Sequence, residues 1–343
     1  MKRYTIKWCG RLQAAVVPAI HGKWEVRDVP TPHPSTNQVL IKIHASGLCY
    51  TDVHITEGLL PSASFPRTIG HEPVGEIVEV GDGVTKRKIG DRVGVLCYQS
   101  SCGRCEWCER GKIMFCDQPV ATATGINAPG SHAEYMVAYA DATTLLPDDL
   151  SYEQAAPVFC AGYTVWSGLR FADPKPHERI AVLGIGGLGH LAVQYSKAAG
   201  FYTLAITHSK DKEDLASKLG ADLIVSNGEA LKQAGGGADV ILVTSNSYKA
   251  ASESLKGLRP DGRMVLMGIS GEPLIVTSEI IVNRSRIIGS RRRNDQEYLY
   301  EALDYVAKGK VKVIAETYSL HDIARAYENV AAGNVRFRAV IKI

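Results

Sequence analysis

The stretch Gly184-Ile185-Gly186-Gly187-Leu188-Gly189 decides the fold of this chain. It follows a run of branched apolar residues at 179–183 and opens a helix-forming stretch that reaches 199, with Gly200 placed to end it. A glycine pattern of this kind carries weight only between a strand and a helix, because each glycine then has a mechanical task. The first makes the tight turn, the second lets a pyrophosphate approach the backbone, and the third lets helix and strand pack closely. The free N–H groups and partial positive charge of the helix N-terminus then face the phosphates. The stretch therefore predicts a dinucleotide site built from Gly184, Gly186, Gly187, Leu188 and Gly189.

Outward from this loop, strand-like runs at 202–207, 223–225, 240–243 and 263–267 alternate with helical stretches at 211–219 and 249–258. That rhythm predicts a parallel sheet of βαβ units. Upstream of about residue 152 the pattern is β-rich instead, with runs at 39–44, 74–80 and 92–96 separated by Gly and Pro clusters. The last fifty residues (a helix at 296–307, a short strand, a helix at 321–331 and a final run at 336–343) fit neither half. With 343 residues, the chain exceeds the size at which one core keeps growing, so two domains are expected.

The segment after the second strand bears on the nucleotide. Thr207-His208-Ser209-Lys210 places no carboxylate before Asp211. A carboxylate there would grip a ribose diol and repel a 2′-phosphate, whereas a hydroxyl, an imidazole and an ammonium can hydrogen-bond the phosphate. NADP(H) is accordingly expected over NAD(H). The alternative is that Thr207 only ends a strand, Lys210 lies in solvent, and NAD(H) is used.

Four of the eight cysteines, Cys102, Cys105, Cys108 and Cys116, have the spacing C-x2-C-x2-C-x7-C. Four thiolates close a tetrahedral zinc shell with no open position, as structural sites do. An iron–sulfur cluster is the competing occupant, but the polar neighbours Arg104, Glu106 and Glu109 favour a solvent-facing zinc lobe. Clustered cysteines in a chain too long to need disulfides indicate a reducing compartment. The expected location is cytoplasmic, since no signal peptide or membrane-length apolar run is present. Hydrophobic residues at 45% and charged residues at 22% are an ordinary globular balance, and a net charge of +3 shows no bias toward nucleic acid or membrane surfaces, so neither partner is expected.

A second set is more dispersed: Cys49 in Gly47-Leu48-Cys49-Tyr50-Thr51-Asp52-Val53-His54, then Gly70-His71-Glu72, then Cys160. Two thiolates and an imidazole leave a fourth zinc position open, which suits catalysis. Spacing does not join these residues; taken singly, Cys160 reads as core and His71 as a satisfied buried histidine.

In the order of these elements, over nearly its whole length, the chain resembles the zinc-containing medium-chain alcohol dehydrogenases. The resemblance implies an α/β architecture in which a Rossmann doubly wound parallel sheet (162–292) is inserted in a β-rich, GroES-like catalytic domain (1–161 and 293–343), with the cleft between them. It implies Cys49, His71 and Cys160 as catalytic zinc ligands, Glu72 as an acid able to approach the metal, and Asp52 as the carboxylate that orients the histidine. Thr51 and His54 correspond to a proton relay from the substrate oxygen to solvent. Thr164 and Arg338 join Thr207, His208, Ser209 and Lys210 among the cofactor contacts, Arg338 at the pyrophosphate. The implied reaction is hydride transfer between NAD(P)(H) and a small alcohol or aldehyde. Two zinc ions per chain are implied, in a homodimer or homotetramer.

Three departures from the family pattern stand out. Cys97 and Leu59–Leu60 fall where relatives often carry a pocket tryptophan, which predicts a roomier apolar pocket for aromatic or medium-chain alcohols. Arg291-Arg292-Arg293 replace the usual aromatic or aliphatic residue and glycine. The first dozen residues, through Leu12, extend beyond the usual start and receive no role. Rival functions are a zinc-free reductase, which would lack the ligands; a polyol dehydrogenase, which would replace Cys160 with a carboxylate; and a zinc-fold protein without turnover.

Overall fold

The computed structural model describes residues 10–60, 63–290 and 296–343. Packing divides the chain into two compact units, one running to Cys160 and resuming at Ala315–Ile343, the other spanning Ala161–Ile314. The return therefore falls at 315, whereas 293 was expected. The reason is helix Gln296–Ala307, which packs on helix Ala161–Ala172. There the Trp166 indole donates to Glu301 at 2.5 Å, and the Tyr195 hydroxyl donates to the Ala302 carbonyl at 3.0 Å.

In the second unit six parallel strands lie in the order Leu223–Val225, Tyr202–Ile206, Arg179–Leu183, Ala238–Val243, Leu258–Leu266 and Arg286–Gly289. Numbered along the chain this is 3-2-1-4-5-6, the doubly wound arrangement, and the order reverses beside Arg179–Leu183. That central strand is apolar throughout its interior because helices cover both faces of such a sheet. Helix Gly189–Ala198 follows the glycine loop, and helix Lys210–Lys218 follows the second strand. Strand Leu258–Leu266 begins earlier than its apolar run at 263–267 and shifts register against Ala238–Val243, with Pro260 and Gly262 inside it.

The spine of the first unit is strand Gln38–Leu48 in a seven-stranded sheet. Glu72–Val80 pairs antiparallel along one edge, and the other edge is shared: Tyr135–Tyr139 takes its first half, Arg338–Lys342 its last residues. Gly47 thus lies opposite Glu72 on one side and Val340 on the other. Residues far apart in sequence are in this way brought to the end of three adjoining strands. A second, three-stranded sheet joins Arg11–Val17, Glu25–Pro30 and Arg67–Thr68. Arg11 and Leu12, given no role by the sequence, open its first strand; Leu12 is buried and Arg11 donates to the Asp28 carbonyl at 2.6 Å. Among the described residues no helix is long and apolar enough to cross a membrane.

Candidate active site

The end of strand Gln38–Leu48 delivers Cys49 as the N-cap of helix Tyr50–Thr56. Its sulfur accepts the Thr51 amide at 3.3 Å, and its own amide donates to Asp52 Oδ2 at 2.8 Å, a reciprocal cap that fixes both side chains. The other oxygen of Asp52 accepts from His71 Nδ1 at 3.2 Å. The proton is thereby placed on Nδ1, which leaves the Nε2 lone pair free to bind a metal. His71 Nε2 lies 3.2 Å from Cys49 Sγ, and Cys160 Sγ lies 3.9 Å from Cys49 Sγ.

Cys160 arrives by a different route. It ends the 3-10 turn Ala156–Phe159, which packs across the sheet. The ring of buried Phe159 occupies the space that a side chain at Gly94 would need: a Cβ there would stand 2.1 Å from the ring. One atom from each of Cys49, His71, Glu72 and Cys160 falls within 4.8 Å of the others. Glu72 is buried; Arg338, also buried, ion-pairs with its Oε1, while its Oε2 has no partner.

Burial and mutual contact hold the groups of this cluster away from their ordinary ionisation. Burial opposes ionisation of Cys49, but hydrogen bonding to Cys160 and the charge of His71 hold its thiol well below the usual range. Burial also opposes charge on His71, yet Cys49, Asp52 and Cys160 raise its proton affinity well above normal. Burial lifts the Glu72 carboxyl to about 7 against the pull of Arg338. Two sulfurs, an imidazole nitrogen and an unpartnered carboxylate oxygen form a donor set that fits zinc.

Thr51 and His54 are half-buried and stand three residues apart on helix Tyr50–Thr56, with His54 edge-on to Tyr50 at 5.0 Å. Of the residues read as pocket-lining, Cys97 is buried in the core, Leu60 packs against the same core, and Leu59 is exposed.

The four remaining clustered cysteines, Cys102, Cys105, Cys108 and Cys116, also present sulfurs within 4.8 Å of one another. Separations of 3.8 Å for Cys102–Cys108 and 3.4 Å for Cys105–Cys108 lie near the ~3.8 Å edge of a tetrahedron of zinc–thiolate bonds. Gly103 and Gly111 adopt left-handed φ values of 72° and 68° at the turns. The Arg104 amide on Cys102 and the Ser101 hydroxyl on Cys108 favour the thiolates, and Cys108 is brought down to about 6. This lobe grows out of strands Tyr98–Ser100 and Thr122–Ala123, which pair at its base.

In the second unit each glycine of the nucleotide loop has a visible cause. Gly184 turns with φ 87°, Gly186 has open space around it, and a Cβ on Gly189 would stand 1.9 Å from the Gly184 carbonyl. Gly187 and Leu188 are half-buried beside them. Sequence reasoning missed two supports of this loop. Thr244 donates to the Gly184 carbonyl at 2.7 Å, and buried His190 donates from Nδ1 to the Gly186 carbonyl at 3.1 Å. Only the position of His190, directly after the last glycine, hinted at such a role. Thr207 is buried and accepts the Ser209 amide at 3.4 Å; His208 and Lys210 are exposed. The Ser209 hydroxyl donates to Asp211, so a carboxylate does adjoin this segment. Thr164 lies half-buried on helix Ala161–Ala172. Arg291, Arg292 and Arg293 lie outside the described residues.

Residues 35–148 match the alcohol dehydrogenase GroES-like domain, and residues 187–308 match the zinc-binding dehydrogenase family. An alcohol dehydrogenase of Geobacillus stearothermophilus is 39% identical over 97% of this chain and all of its own length. A cinnamyl alcohol dehydrogenase from Sorghum bicolor superposes with a TM-score of 0.86 at 30% identity, covering 97% of each chain. Acetophenone reductase from Geotrichum candidum, solved with NAD, does so with a TM-score of 0.86 at 27% identity, again over 97% of each chain. With its Rossmann sheet inserted in a GroES-like unit, this chain belongs to the zinc-dependent medium-chain alcohol dehydrogenase family.

Proposed function

We propose that this member of the family interconverts aromatic or medium-chain alcohols and their aldehydes or ketones, preferring NADP(H), with one zinc ion at Cys49, His71 and Cys160 and a second at the four-cysteine lobe. The convergence of Cys49, His71, Cys160 and Glu72 on one point carries this reading. A sulfur at position 160 separates it from a polyol dehydrogenase.

Zinc, when bound, supplies a Lewis acid that polarises an alcohol or carbonyl oxygen. The chain's own residues do the rest. Asp52 holds His71 in the tautomer that keeps Nε2 available. Thr51 takes the proton released by the alcohol and His54 passes it outward. The amides after Gly184 receive the pyrophosphate at the start of helix Gly189–Ala198. Arg338, which pairs with Glu72, retains further N–H donors.

His208, Ser209 and Lys210 support the NADP(H) preference, and Asp211 limits it. Leu60 and Cys97, where larger side chains are common, support the wide substrate range. None of the seven described cysteines is in a disulfide, which is in keeping with a reducing compartment. Self-association is favoured by the exposed apolar side chains Ile269, Ile275, Ile281 and Val282.

The test is benzaldehyde reduction with NADPH and NADH at equal subsaturating concentrations, alongside kcat/KM from ethanol to benzyl alcohol. Faster turnover with NADPH and a rise toward benzyl alcohol are expected. Faster turnover with NADH rejects the cofactor assignment, and a steady fall toward benzyl alcohol rejects the wide pocket.

A further inference from the structure

Gly47 is buried in strand Gln38–Leu48, directly opposite Glu72 and two residues before Cys49. Its backbone is not left-handed, so conformation does not demand glycine there. Space does. A Cβ built at this position would stand 1.8 Å from Glu72 Oε2, 2.7 Å from its Cδ and 3.0 Å from its Cβ, and these are the three nearest atoms. Gly75, on the neighbouring strand, offers a contrast. A Cβ there would meet the Lys42 carbonyl oxygen at 2.0 Å, so its constraint is the close approach of main chain. At Gly47 the obstacle is a single ionisable side chain at the metal-ligand cluster.

The Glu72 carboxylate has little freedom to yield. Oε1 is paired with buried Arg338 and lies 3.8 Å from His71 Nε2, and both groups are fully enclosed. A carboxylate pushed off the Gly47 side must either leave Arg338 or press into the cluster of Cys49, His71 and Cys160. In the first case a buried guanidinium loses its partner. In the second the donor atoms of the metal site are displaced.

We propose that Gly47 is a positioning residue: its missing side chain forms the seat of the Glu72 carboxylate, and that seat sets the geometry and affinity of the metal site. The inference rests on Cys49, His71 and Cys160 being the catalytic ligands.

The test is a double-mutant cycle of Gly47→Ala and Glu72→Ala. Its readouts are zinc affinity by chelator competition and the visible spectrum of the cobalt-substituted protein. The lobe zinc, held by four other residues, serves as an internal reference. If the unaltered protein holds no metal at Cys49, His71 and Cys160, the ligand assignment itself fails. If it does, Gly47→Ala is expected to weaken that site on the order of 10–100-fold, the range known for residues that orient metal ligands, and to alter the cobalt spectrum. In the Glu72→Ala background the same change should have little effect, because the obstacle is gone. Equal losses in both backgrounds, or wild-type affinity in Gly47→Ala alone, overturn the proposal. Should Gly47→Ala fail to fold, folding of the double variant supports the proposal, and failure of both variants rejects it.

Discussion

Cys102, Cys105, Cys108 and Cys116 reach one point from a single half-buried loop, whereas Cys49, His71 and Cys160 reach theirs from three segments joined only by the sheet. In the first case local turns set the geometry, with Gly103 and Gly111 in left-handed conformations and amides directed at the sulfurs. In the second, strand register sets it: Gly47 faces Glu72, and Arg338 opens the strand on the other side. Four thiolates would close the local centre, which suits holding a loop together. The distributed centre, read as three ligands and a neighbouring carboxylate, suits chemistry. Function in one follows from chain connectivity, and in the other from tertiary packing.

Replacing one residue in each centre sharpens this division. His71→Ala is expected to reduce kcat/KM by roughly 10³-fold or more, since the several kcal/mol of Lewis-acid stabilisation are lost. Thermal unfolding should shift little, because strand pairing remains. Cys108→Ser should do the reverse, lowering Tm by roughly 5–10 °C, as a loss of a few kcal/mol does in a unit of this size, with kcat per folded molecule nearly kept. If Cys108→Ser instead abolishes turnover in protein that remains folded, the two centres are coupled and the division fails. A smaller effect is expected at Asp52. Asp52→Asn should cost about 10–100-fold in zinc affinity at the catalytic centre and leave lobe zinc unchanged, as read by metal analysis after graded chelation. At the bottom of the range, Asp211→Asn should raise the NADPH to NADH ratio of kcat/KM several-fold by removing a charge near the 2′-phosphate, on the order of 1 kcal/mol at an exposed site. An unchanged ratio excludes that segment as the discriminator.

The same contrast accounts for what could be read from the sequence. The cysteine lobe is legible from spacing alone because its ligands are neighbours. The parallel sheet is legible from periodicity: the runs at 179–183 and 223–225 coincide with strands Arg179–Leu183 and Leu223–Val225. Helix Ala161–Ala172 escaped notice because it is buried on nearly all sides and shows no polar face. Helix Gly228–Gly235 did so because it is short and has glycine at both ends. The proposed catalytic ligands became readable only through family resemblance, since no local rule joins Cys49 to a residue 111 positions away. The pairing of Glu72 with Arg338, the clash that defines Gly47, and the grip of His190 on the nucleotide loop are properties of register and packing. No local pattern announces them.

The paired strands Tyr98–Ser100 and Thr122–Ala123 close the base of the cysteine lobe, and all four of its ligands lie between them. One deletion in the gene, spanning a single stretch of coding sequence, could remove that whole centre and leave a hairpin in its place. The catalytic centre admits no such excision. A lineage can therefore discard the lobe in one mutational step, whereas the reaction can be lost piecemeal but not transplanted as a cassette.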